Sequence, residues 1–66
     1  MHSDDREQYL YLPLMTVSEA AQYLGVGRKI IYQLIEYNQL KAIRHRGAVR
    51  IEKRSVEDLS RRAIIF

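Results

Sequence analysis

Eight side chains in the middle of the chain carry most of its chemical capacity: Arg28, Lys29, Tyr32 and Gln33, followed by Arg44, His45, Arg46 and Arg50. No nucleophile among them stands beside a base, and the eight carboxylates of the sequence form no evident acid–base pair. Guanidinium, ammonium, amide and phenol groups are instead the donors that neutralise phosphate oxygens and meet the edges of bases. Arg28, Lys29 and Gln33 suit base edges, the Tyr32 hydroxyl suits a phosphate, and Arg44, Arg46 and Arg50 suit phosphate neutralisation. His45 has the ordinary role of an exposed hairpin residue and becomes a further cation when protonated.

Charge is distributed as this chemistry requires. Residues 1–26 set Arg6 against Asp4, Asp5, Glu7 and Glu19. Residues 28–53 set seven cations against only Glu36 and Glu52, on a chain of net charge +3. Clustering of this kind is the footprint of a polyanion partner, although a charge run alone is more often a solvated face. Other classes are disfavoured. A 66-residue chain buries only about 60% of its unfolded surface, which leaves little room for a deep catalytic cavity. There is no cysteine, and His2 and His45 are too few for an ordinary metal centre, so neither cofactor nor metal is expected. Apolar runs fall far short of the 20 or so residues that cross a bilayer, and the acidic N-terminus is unlike a signal peptide; a cytoplasmic, nucleoid-associated protein is expected.

The elements that must position these groups are legible in order. Residues 1–8 are acidic and without period, a flexible terminus, and residues 9–66 form one domain. Tyr9 to Leu14 around Pro13 read as an extended lead-in packed on that domain. Tyr9, Tyr11 and Tyr23 lie away from the basic region and read as packing residues. Thr16-Val17-Ser18-Glu19 has the pattern of a capping box, and Val17, Ala20, Ala21 and Leu24 recur at helical spacing behind it. Gly25 ends that helix and Val26 fills the angle to the next. The second helix is expected over Arg28–Tyr37 with Ile31, Leu34 and Ile35 buried. Lys29, Gln33 and Glu36 then lie opposite, flanked by Ile30, Tyr32 and Tyr37. Two short helices joined by a glycine-containing turn form a unit whose second helix enters the major groove by its N-terminal residues, where Arg28 and Lys29 stand. "QLKAIRHRGAVRIE" predicts a β-hairpin turning at Arg46-Gly47, with Ile43, Val49 and Ile51 toward the core. Ser55 is expected to cap a last helix with Val56 and Leu59 buried, and the apolar Ala63-Ile64-Ile65-Phe66 to fold back or meet another subunit. The fold class is therefore α+β, mainly α: two helices, a β-hairpin wing and a closing helix.

From Met15 to Leu59 the chain resembles the excisionase-type DNA-binding domain, a small member of the MerR-like winged helix-turn-helix proteins. "TVSEAAQYLGV", the "R..IYQLI" helix, "L.AIR" entering the hairpin, "VRI" leaving it and the closing "SVEDL" together carry the likeness. It implies double-stranded DNA as partner, with Arg28, Tyr32 and Gln33 on the reading helix and Arg44, Arg46 and Arg50 on the wing. It also implies phage or mobile-element excision or small-scale transcription regulation, with self-association or a partner such as an integrase or regulator. Three departures stand out. Gly27 replaces a usual serine, Ile30 a small polar residue and Gln33 a common basic one, so the DNA preference should differ from the family norm. A second class, a protein-interaction adaptor or antirepressor on the same fold, is motivated by Ile30, Tyr37 and Ile64-Ile65-Phe66.

Overall fold

The computed structural model describes residues 13–62, in the order β1 (Leu14–Met15), α1 (Val17–Leu24), α2 (Arg28–Glu36), β2 (Ala42–His45), β3 (Ala48–Glu52) and α3 (Lys53–Arg62). The acidic residues 1–8, the lead-in Tyr9–Leu12 and the apolar Ala63–Phe66 lie outside the described residues. Directly after Pro13 the extended lead-in becomes the short strand β1.

Helix α1 begins as its sequence predicts. Thr16 is extended (φ −76°, ψ 165°); its hydroxyl accepts from the Glu19 amide at 3.0 Å, and the Glu19 carboxylate accepts from the Thr16 amide at 2.8 Å. Two of the amides that a helix start leaves unpaired are thus satisfied. Its end is a chain reversal at Gly25, whose φ of 72° suits a residue without Cβ. The Val26 amide donates to the Ala21 carbonyl (3.0 Å) and the Gly25 amide to Gln22 (3.3 Å), the paired bonds of a Schellman motif. Val26 packs on the core as expected.

Helix α2 ends one residue short of the predicted Tyr37, and it closes by the same device without a glycine. Asn38 adopts φ 61°. The Gln39 amide donates to Leu34 (2.8 Å) and the Asn38 amide to Ile35 (3.0 Å). Asparagine tolerates the left-handed conformation better than other side chains do. The reversal drops Leu40 into the core, 3% exposed. No period in the sequence marked that residue.

The hairpin forms with Arg46 (φ 53°) and Gly47 (φ 79°) as its two turn residues. Two consecutive positive φ values give the type I′ geometry that matches strand twist. Register follows: His45 faces Ala48, Arg44 faces Val49, Ile43 faces Arg50 and Ala42 faces Ile51. Because strand side chains alternate, Ala42, Val49 and Ile51 share the inner face, while Ile43 shares the outer face with Arg50. The expectation that Ile43 points to the core is therefore wrong, and Ala42 takes its place there. Strand β1 adds to the other edge of β3, Met15 facing Ile51, to give the order β1-β3-β2. A two-residue strand is too short for periodicity to reveal.

Helix α3 starts two residues before Ser55, directly from β3. The Lys53 amide is satisfied by the Pro13 carbonyl at 3.0 Å, so the start needs no side chain to receive that donor. Ser55 lies inside the first turn and is not the cap. Val56 and Leu59 are buried as expected, and Arg61 bridges to Asp58 at 2.6 Å. Helix α1 packs on α2, α3, β1 and β3, and one cluster joins Met15, Val17, Ala20, Ala21, Ile31, Leu40, Ile51, Val56 and Leu59. Alanine at 20 and 21 is what permits this central position: small side chains bring neighbouring backbones close. Tyr23 is not part of the packing, being 48% exposed.

Candidate nucleic-acid interface

The starts of the two helices in the first half of the chain differ in kind. Helix α1 has a complete capping box and Glu19 in its first turn, whereas α2 begins at Gly27 (φ −78°, ψ 163°) with no side-chain cap and no acidic residue in its first turn. The Gly27 carbonyl accepts from the Ile30 and Ile31 amides, but the amides of Arg28 and Lys29 find no backbone acceptor among the described residues. A Cβ at Gly27 would stand in open space at an ordinary φ, so nothing within the described fold demands glycine there. Placing Arg28 and Lys29 at the positive end of the helix dipole is unfavourable for folding, by roughly 0.3–1 kcal/mol for each exposed charge. Both are exposed. An anion brought to this end would reverse the sign of that term and accept the open N–H groups.

Along α2, at about 100° per residue, Arg28, Tyr32, Glu36, Lys29 and Gln33 fall within an arc of about 140°. All five are exposed, Tyr32 to 52%. The opposite side carries Ile31, fully buried, with Leu34 and Ile35 partly buried against the core; Ile30 is half-buried at the edge. The structure thus gathers the four predicted helical site residues onto one solvent face. Glu36 stands at the C-terminal end of that face, remote from Arg28 and Lys29 along the helix.

The wing is less uniform than its sequence suggests. Arg44 and Arg46 are exposed, Arg46 within the turn itself. Arg44 shares the face of Val49, whereas Arg50 shares the outer face with Ile43 and, one alternation further along β2, His45. Both His45 and Arg50 are half-buried, and the Arg50 guanidinium donates to the Val49 carbonyl at 3.1 Å through Nη1. The four wing residues accordingly divide between a tip, an inner side and an outer side. Among the described residues the one ion pair is Arg61–Asp58, so Arg28, Lys29, Arg44 and Arg46 meet no carboxylate there.

Sequence reasoning did not anticipate what holds this apparatus in place. Asn38 fixes the exit of α2, and its signal was an asparagine directly after a periodic apolar run. Ser55 joins the base of the wing to α3, accepting from the Lys41 amide at 3.2 Å and donating to the Glu52 carbonyl at 2.8 Å. No spacing rule marks that contact, since Lys41 and Ser55 are 14 residues apart. No helix among the described residues is long and apolar enough to cross a membrane.

Comparison with known proteins gives one match: a family model described as a helix-turn-helix domain, aligned to residues 14–63. No curated protein and no solved structure matches at a significant level.

Proposed function

Since the chain belongs to the helix-turn-helix domain family, whose members bind DNA, we propose that it reads duplex DNA in a sequence-specific manner, with α2 in the major groove and the wing on the adjoining backbone. In this reading it acts as an excisionase or a small transcription regulator in the cytoplasm, and it catalyses no reaction. The observation that carries the reading is the start of α2: two exposed cations, open amides and no side-chain cap, on a helix whose exposed face also carries Tyr32 and Gln33. Arg28, Lys29 and Gln33 address base edges, Gln33 with the geometry for adenine, and the Tyr32 hydroxyl meets a phosphate. Arg44, Arg46 and Arg50, with His45 when protonated, neutralise the backbone.

The test is a gel shift of the purified chain on random duplex at two or more salt concentrations. With roughly five phosphate contacts, log affinity falls against log salt with a slope of about −4 to −5. A flat response removes the proposal. The turn supplies a companion prediction. Arg46 occupies a left-handed position where asparagine is favoured, so Arg46→Asn should raise stability by about 0.5–1 kcal/mol in a urea melt. The same change should make the salt slope shallower by about 1, because a phosphate contact is lost. Stability and binding moving in opposite directions would mark Arg46 as kept for its charge.

A second reading, a protein-interaction adaptor or antirepressor, draws on Tyr23 and Tyr37, which are 48% and 70% exposed, and on the half-buried Ile30. Exposed aromatic surface favours protein contacts. Sedimentation showing persistent self-association, with no shift of any duplex, would select that reading.

A further inference from the structure

At the base of the wing a hydroxyl stands where a backbone bond belongs. The pair closing the turn is His45–Ala48, and in an antiparallel ladder the pairs that exchange two backbone bonds recur at every second position. Ile43–Arg50 and then Lys41–Glu52 are those pairs. At Lys41–Glu52 the Glu52 amide donates directly to the Lys41 carbonyl at 2.9 Å. The reciprocal bond is relayed: the Lys41 amide donates to Ser55 Oγ at 3.2 Å, and that hydroxyl donates to the Glu52 carbonyl at 2.8 Å. A serine inside a helix often bonds a carbonyl one turn back. Receiving the amide of Lys41, the residue that leads into β2, is what sets Ser55 apart. Glu52 is the last residue of β3 and Lys53 the first of α3, so the relay lies at the corner where the wing leaves the closing helix.

We infer that Ser55 is a positioning residue for DNA binding: its hydroxyl fixes the angle between wing and closing helix, and thereby where Arg44 and Arg46 stand relative to α2. The inference rests on the DNA-binding reading proposed above. Without the hydroxyl, the Lys41 amide and the Glu52 carbonyl lose their common partner and the wing can swing about its base. Helix α2 packs on α1 and is anchored by the buried Ile31; its tie to this corner, the Leu40 amide donating to the Leu34 carbonyl at 3.2 Å, does not involve Ser55, so α2 keeps its exposed face.

The experiment compares wild type, Ser55→Ala and Ser55→Thr as full chains. Thermal melts confirm folding, hydrogen exchange follows the Lys41 amide, and titrations use random duplex and a duplex selected by the wild type at several salt concentrations. For Ser55→Ala we expect the Lys41 amide to exchange at least about tenfold faster, and the salt slope to become shallower by about 2 as wing phosphate contacts are lost. Preference for the selected duplex over random duplex should persist, because base edges are met from α2. Threonine, which retains the hydroxyl, should restore slope and protection together. If the alanine variant does not fold, Ser55→Cys, close in volume but a weak donor, is read in the same way. A folded alanine or cysteine variant with the wild-type slope overturns the positioning role alone. Wild-type protein that shifts no duplex at any salt concentration overturns the DNA reading, and the positioning role with it.

Discussion

Cutting Ile31 back to alanine removes about 2–5 kcal/mol of stability, the range for deleting a fully buried aliphatic side chain together with the cavity it leaves. Ile31 is 0% exposed and is the only fully buried residue of α2, while Leu34 and Ile35 cover the core only in part. The side chain therefore fixes the rotation of that helix. A domain of this length has a total stability of roughly 3–10 kcal/mol. Loss of Ile31 consumes a large part of it, and the melting transition followed by circular dichroism should fall steeply or vanish. Ile31→Val, which deletes one methylene, should cost about 0.5–1.5 kcal/mol and leave a cooperative melt. DNA binding should follow the folded fraction in both variants, since neither touches the exposed arc. An alanine variant as stable as wild type would show that α2 is held by something other than its apolar stripe.

The second large effect concerns selectivity. Alanine at Arg28, Lys29 or Gln33 should weaken binding to a preferred duplex by about 1–3 kcal/mol, roughly 5- to 150-fold, and relax the choice at one base position. Each of these side chains is exposed, so the melt should scarcely change. Arg28→Ala should even relieve the clash between its charge and the helix dipole. Arg44→Ala should give the opposite profile, weakening all duplexes alike and flattening the salt slope by about 1. Competition titrations of selected against random duplex separate the two patterns. Equal loss on both duplexes after changes at 28, 29 and 33 would move those residues from base reading to backbone contact.

Much of this arrangement could be read from the letters, for reasons particular to each element. "TVSE" predicts its own hydrogen bonds because both partners lie within one turn, and Gly25 and Arg46-Gly47 mark reversals because few residues tolerate their backbone angles. The exposed face of α2 followed from the spacing of Ile31, Leu34 and Ile35. What escaped depended on contacts between distant segments. The inward side of β2 was misjudged at Ile43, although a two-residue turn fixes the pairing of 43 with 50 and hence its side. Ser55 has the chemistry of a cap, but the Pro13 carbonyl already receives the first amide of α3, so the helix begins earlier and frees the hydroxyl for Lys41. Strand β1 exists only through pairing with β3. For the site, residue types indicated which groups offer donors to solvent. They could not indicate that Arg44 and Arg50 leave the wing on opposite sides.

The reversals at Gly25 and Asn38 confine α2 to nine residues. At about 1.5 Å per residue this is roughly 13 Å, against about 3.4 Å for each step along a DNA strand. If α2 reads bases as proposed, one molecule inspects a word of about four letters, which recurs by chance on the order of every few hundred positions, while a genome offers about a million or more competing sites. A single nine-residue helix cannot name an address. Only several copies in fixed phase, or a tethered companion that inspects further letters, could make one locus distinct from the rest.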